Sequence, residues 1–126
     1  MTTPLARLSR LILYVHDVSL LKSFYQTHFG FPAVEEIEGE WAVLDVGGVE
    51  LALHRVGEAY RSATPRGPHS NAKLVFSIDT GLEALCRSLS SAGVSMREPK
   101  RYEGFPYLLC DGEDPEGNVF QLSHRD

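Results

Sequence analysis

The chain has no long apolar run, few cysteines and no excess of positive charge. Its 126 residues carry 12 Lys and Arg against 17 Asp and Glu, a formal net charge of −5. A partner built on a nucleic-acid backbone calls for a basic face that neutralises phosphates, so that class is disfavoured. No apolar stretch approaches the ~20 residues that cross a bilayer. The start, Met1-Thr2-Thr3-Pro4-Leu5-Ala6-Arg7, has no apolar signal core, so a cytoplasmic location is expected. Cys86 and Cys110 have no CxxC neighbour, which argues against structural zinc and leaves two reduced thiols as the expectation. The five histidines show no HxH or HExxH spacing, and there is no GxxxxGK phosphate loop. With 43% hydrophobic and 23% charged residues, disorder and collagen-like repeats are excluded.

What is present is periodicity. Residues 10–15 alternate as a half-buried strand does, with Leu11, Leu13 and Val15 on one face and Arg10, Ile12 and Tyr14 on the other. Asp17 or Ser19 can cap the following helix, where Leu20, Leu21, Phe24, Tyr25 and Phe29 recur at helical spacing. Gly30 stops it and Pro32 prevents its restart. Three extended segments come next, 34–40, 41–46 and 49–54, the last two joined by the hairpin signal Gly47-Gly48. Residues 57–71, with Pro65, Gly67 and Pro68, read as a connection. Alternation resumes over 73–78, with Leu74, Phe76 and Ile78 on one face. Thr80 and Glu83 match a capping box for a helix carrying Leu82, Leu85, Cys86, Leu89 and Ala92, closed by Gly93. Segments 96–102, 107–110 and 118–123 read as strands, the last preceded by the turn Asp114-Pro115-Glu116-Gly117.

The order is β-α-β-β-β, a connection, then β-α-β-β-β. The halves keep register: Asp17 to Asp79 is a step of 62, Gly30 to Gly93 of 63 and Gly48 to Gly117 of 69. In each half the helix covers one apolar sheet face and the other is free to curve around something. Glu35, Glu36, Glu38 and Glu40 read as a charged edge strand that discourages stray pairing.

Several motifs resemble the vicinal oxygen chelate superfamily, which includes glyoxalases, extradiol dioxygenases, fosfomycin-resistance enzymes and bleomycin-resistance proteins. In the first half they are Leu13-x-Val15-x-Asp17, Phe24-Tyr25 and Phe29-Gly30-Phe31. In the second they are Phe76-x-Ile78-Asp79, Gly93-Val94 and Asp114-Pro115-Glu116-Gly117-Asn118-Val119-Phe120. The resemblance runs from about Leu8 to Ser123. It implies an α+β fold: a single glyoxalase-like domain over 1–126 with two βαβββ repeats, about 8–56 and 73–124, joined by 57–72. The repeats would form a curved mixed sheet with the helices on its convex face. The resemblance also implies a homodimer.

Relatives often hold a divalent metal inside the curved sheet. The motifs place its ligand positions at Arg10, Ala52, Lys73 and Gln121, where metal-binding relatives carry His at the first and third and usually Glu at the fourth. Arg offers no lone pair, Lys offers one only after deprotonation, and Ala offers none. A single Gln oxygen does not hold an ion against water. Neither metal nor other cofactor is expected, and mechanisms that need a metal as Lewis acid or oxygen carrier fall with it.

Strand parity gives the inward face: Arg10, Ile12 and Tyr14; Glu50, Ala52 and His54; Lys73, Val75 and Ser77; Val119, Gln121 and Ser123. Arg10 and Lys73 could hold a carboxylate or phosphate. Equally, Arg10 can pair with Glu50 while Lys73 reaches the rim and serves only solubility. His54 could move a proton near neutral pH with Glu50, or be a polar rim residue. Trp41, Tyr60, Tyr102, Phe105 and Tyr107 could stack on a flat ligand, or pack between strands. The expectation is a metal-free protein binding a small anionic or aromatic molecule through Arg10, Tyr14, Trp41, His54, Lys73, Tyr107 and Gln121. The alternative is a lyase, isomerase or dioxygenase of the same superfamily, with an off-register metal or with His54 and Glu50 as acid/base groups. A third reading is an interaction module with no small ligand.

Overall fold

The alternation of Leu11, Leu13 and Val15 becomes strand β1, Arg10–Val15, and the rest of the first half follows from it in the computed structural model. The structure describes Leu5, residues 7–61 and residues 72–126. The chain divides into two units, Met1–Ala63 and Thr64–Asp126.

In the first unit β1 is followed by α1 (Val18–Phe29), β2 (Ala33–Ile37), β3 (Trp41–Asp45) and β4 (Glu50–Arg55), in sheet order β1-β4-β3-β2. β1 and β4 are parallel, and the other pairs are antiparallel. Parallel neighbours need a long crossover, which α1, β2 and β3 supply. Asp17 starts α1 by accepting the Leu20 N–H at 3.0 Å, so Ser19 lies inside the helix. Gly30 ends it at φ 71, donating its N–H to the Gln26 carbonyl at 3.0 Å. Val18, Leu21, Phe24 and Tyr25 of α1 are buried, as are Val15, Ala42, Leu44, Leu51 and Leu53 of the sheet. Gly47 and Gly48 take φ 79 and 100, and Val46 N–H meets Val49 carbonyl at 3.0 Å, a two-residue hairpin whose turn needs both positive angles. β2 stops at Ile37 rather than Glu40, because Glu40 N–H turns back to the Ile37 carbonyl at 2.9 Å.

The second unit repeats the plan with β5 (Leu74–Ser77), α2 (Leu82–Ser91), β6 (Ser95–Met96), β7 (Tyr107–Glu113) and β8 (Val119–Arg125), in sheet order β5-β8-β7-β6. Two four-stranded sheets with one helix each make the α+β arrangement of two βαβββ units expected from the sequence. Leu82, Cys86 and Leu89 of α2 are buried, with Cys110, Phe120 and Leu122 of the sheet. An added Cβ at Gly112 would come within 2.5 Å of both Met96 Sδ and the Phe120 ring, so a side chain there would push one or both aside. Asp114, at 5% exposure, accepts the N–H groups of Glu116 and Asn118, each at 2.9 Å, and holds the turn before β8.

Several expectations are corrected here. Gly81 rather than Thr80 is the N-cap of α2: its left-handed φ of 76 moves the helix start on by one, and no side chain caps it. The strand expected over 96–102 shrinks to Ser95–Met96 plus one isolated bridge, Lys100 to Leu109, since Pro99 has no N–H to extend the ladder. β7 continues to Glu113 instead of stopping at Cys110. The cysteines are not separate thiols: Cys86 and Cys110 are joined as a disulfide. Both lie on the buried sides of their elements, so α2 and β7 carry them together despite 24 residues of separation. Of the expected connection, the start forms a 3-10 turn, Glu58–Tyr60, and residues 62–71 lie outside the described residues. Among the described residues no helix is long and apolar enough to cross a membrane.

Candidate functional site

The register of the first sheet decides which side chains meet. Arg10 sits opposite Glu50, Tyr14 opposite His54, and His54 opposite Trp41, so all five lie on the sheet face turned away from α1. The Tyr14 and His54 rings are 5.3 Å apart, and Trp41 meets His54 edge-on at 5.4 Å. Tyr14 is 66% exposed. The Arg10 guanidinium lies 5.4 Å over the Trp41 ring and donates twice to Glu50 Oε1, from Nε at 3.0 Å and Nη2 at 2.8 Å. The Trp41 indole N–H donates to Glu35 at 2.9 Å, and the same carboxylate is 3.9 Å from Arg10.

Arg10 is therefore held between two carboxylates and an indole. It is not an unpaired cation waiting for an anion. Glu35, one of the charges expected on an edge strand, also belongs to this group. Its neighbour Glu36 pairs with Lys22 of α1, so strand alternation sends Glu35 to the other face. An indole N–H near the surface wants an acceptor, and that need was the available signal.

His54 Nδ1 is 2.7 Å from its neighbour's carbonyl, Arg55 O. In the neutral ring this geometry assigns the proton to Nδ1 and leaves Nε2 as an acceptor. Glu50 lies four residues earlier on the same strand, on the order of 13 Å away at strand rise. The structure does not bring Glu50 to His54; it gives Glu50 to Arg10 instead.

In the second sheet Gln121 sits opposite both Val75 and Asp111, on the face away from α2. Lys73 Nζ donates to Asp111 Oδ2 at 2.8 Å, and Gln121 Nε2 donates to Asp111 Oδ1 at 2.9 Å. Lys73 and Gln121 are thus brought together by Asp111, a residue that no motif in the sequence marks. The strand was expected to end at Cys110, and no apolar alternation marks Asp111 and Gly112. Lys73, Arg97, Lys100, Tyr102, Asp111 and Gln121 line a groove of about 300 Å³ within this unit. Tyr107 lies elsewhere: its hydroxyl accepts Arg125 Nη1 at 2.7 Å, and the guanidinium lies 5.3 Å over its ring. Tyr102 and Phe105 are exposed, and the side chain of Tyr60 lies outside the described residues.

The four positions at which the resemblance implied metal ligands make other contacts. Arg10 and Lys73 are in ion pairs, Ala52 is fully buried, and the Gln121 amide nitrogen is bonded to Asp111. Among the described residues no three His, Cys, Asp or Glu side chains gather as a metal-binding group.

A βαβββ unit used twice, with polar and aromatic side chains on the sheet faces away from the helices, is the architecture of a recognisable superfamily. The chain belongs to the Glyoxalase/Bleomycin resistance protein/Dioxygenase superfamily, whose profile it matches over residues 7–122. It is 27% identical over 120 residues to virulence protein STM3117 of Salmonella typhimurium, covering 93% of this chain and 83% of that one. Its fold is shared with a glyoxalase/bleomycin resistance protein/dioxygenase family enzyme from Burkholderia phytofirmans, at TM-score 0.80 and 24% identity over 96% of this chain and 100% of the other. It is also shared with TnmS3, an antibiotic binding protein from Streptomyces sp. CB03234, at TM-score 0.75 and 21% identity over 99% and 100% of the two chains.

Proposed function

We propose that the chain is a binding protein for a small aromatic or anionic molecule and that it works without a metal ion. The observation that carries this is the exposed Tyr14 beside His54 and Trp41 on the first sheet. Rigid strands hold these rings, so a flat ligand can stack with little side-chain ordering cost. An aromatic pair contributes about 0.5–1.5 kcal/mol beyond the area it buries. Arg10 is neutralised by Glu50, so this face favours the aromatic part of a ligand over its charge. The antibiotic-binding neighbour is in keeping with binding as a use of this fold.

The donor chemistry does not fit a divalent ion, since neither a guanidinium nor an alanine offers a lone pair. The enzymatic reading has less support, because Glu50 is taken by Arg10 and stands apart from His54. Thermal-shift screening against planar and anionic metabolites tests the proposal, with elemental analysis of the purified protein alongside. Stabilisation by at least one flat compound, with no stoichiometric metal, is expected. No stabilisation across the panel, or one bound transition-metal ion per chain, would overturn it.

A further inference from the structure

The groove of the second unit holds more positive charge than the rest of the chain predicts. Of the residues lining it, Lys73, Arg97 and Lys100 are cationic and only Glu98 and Asp111 are anionic, in a chain whose formal net charge is −5. The charges are not equivalent. Lys73 is neutralised by Asp111, whose second oxygen is taken by Gln121. Arg97 reaches only to 3.6 Å from Glu113, an ion pair without a hydrogen bond, and its side chain is 69% exposed. Lys100 has no side-chain partner among the described residues.

Both backbones are nonetheless fixed. Arg97 N–H donates to the Asp111 carbonyl at 2.8 Å, and Lys100 exchanges two backbone hydrogen bonds with Leu109, at 2.7 and 2.9 Å. Two cations with spare donors therefore stand at set positions along β7, beside the exposed ring of Tyr102. Gln121 spends its amide nitrogen on Asp111.

We infer that this groove is an oxyanion site. Arg97 and Lys100 bind the carboxylate or phosphate of a small organic acid, and Tyr102 covers its apolar body. Charge-assisted bonds from a guanidinium and an ammonium suit that chemistry, and the ~300 Å³ groove suits a ligand of one ring. The inference rests on the reading of the chain as a small-molecule binder and names the charged group that such a ligand carries. Neither Arg97 nor Lys100 occupies a position where the family's metal would be held.

Calorimetric titration with benzoate, phenyl phosphate and benzyl alcohol tests it, on the full chain and on the Arg97→Ala/Lys100→Ala double variant. Both substituted side chains are exposed, and a melting curve confirms that the variant is folded. The expected result is that one or both anions bind, that higher salt weakens them, and that the double variant binds them at least roughly tenfold more weakly. Preference between benzoate and phenyl phosphate tells which oxyanion the site takes. Equal anion affinity in wild type and variant overturns the inference. So does binding of benzyl alcohol alone, which leaves the aromatic-binding proposal standing. Failure of every compound here, with flat metabolites also failing in the thermal-shift panel, sinks both.

Discussion

The two units share a strand order and differ in what they place on it. In the first, the sheet face away from the helix carries rings: Tyr14, His54 and Trp41, with Arg10 locked to Glu50. In the second, the corresponding face carries charge: Lys73, Asp111 and Gln121 in one chain of bonds, with Arg97 and Lys100 at the edge. Their interiors differ too. α1 packs with the aromatic rings of Phe24 and Tyr25, whereas α2 packs with leucines and is tied to its sheet by Cys86–Cys110. The helix-facing positions must stay apolar for the fold to close, so repetition survives there. Alternate positions carry no such demand, so they are free to acquire separate chemistry.

Several substitutions set the units against each other. Tyr25→Ala should have the largest effect, because Tyr25 is fully buried and the first unit has no covalent tie. A loss of about 3–5 kcal/mol in denaturant unfolding is expected. Cys86→Ser opens the bridge in the second unit, which spans 24 residues. Roughly 3 kcal/mol should be lost, with faster amide exchange in α2 and little change in α1. Equal acceleration of both helices would contradict the assignment of the bridge to one unit's stability. Gly112→Ala crowds Met96 and Phe120 and should cost about 1–3 kcal/mol, read as a lower melting temperature. Arg10→Met should be the mildest. Its ion pair with Glu50 is more than a third exposed, so solvent screens it and the change in stability should stay within about 1 kcal/mol. A larger loss would mean that Arg10 supports the aromatic face more than a surface pair can.

The elements that could be read from sequence were those with one strongly apolar face. β1, α1, β4 and β8 follow from Leu11 and Leu13, Phe24 and Tyr25, Leu51 and Leu53, and Phe120 and Leu122. The Gly47-Gly48 hairpin was legible because only glycine takes two successive positive φ values at no steric cost. What failed was not local. Asp111 joins Lys73 to Gln121 across three strands, and no spacing in the sequence announces that. The Cys86–Cys110 bridge likewise depends on the helix crossing its sheet at one place, which no spacing between the two cysteines expresses. The first-unit site was legible as far as parity reached, from Arg10 and Tyr14 to Glu50 and His54. The Arg10–Glu50 pair was one of the two readings the sequence left open, and the structure shows it; Glu35 for Trp41 needed coordinates.

Amide shift mapping tests the division between an aromatic face and a charged groove most directly. The chain is 14.0 kDa and has one tryptophan, so the Trp41 indole N–H gives a single assignable signal on the first unit's face. Titration with a planar neutral aromatic such as benzimidazole should move that signal and the Tyr14 and His54 amides. Benzoate should move the amides of Arg97, Lys100 and Asp111. If benzimidazole leaves the Trp41 indole unmoved while shifting the Arg97–Asp111 groove, the first face is not the aromatic site.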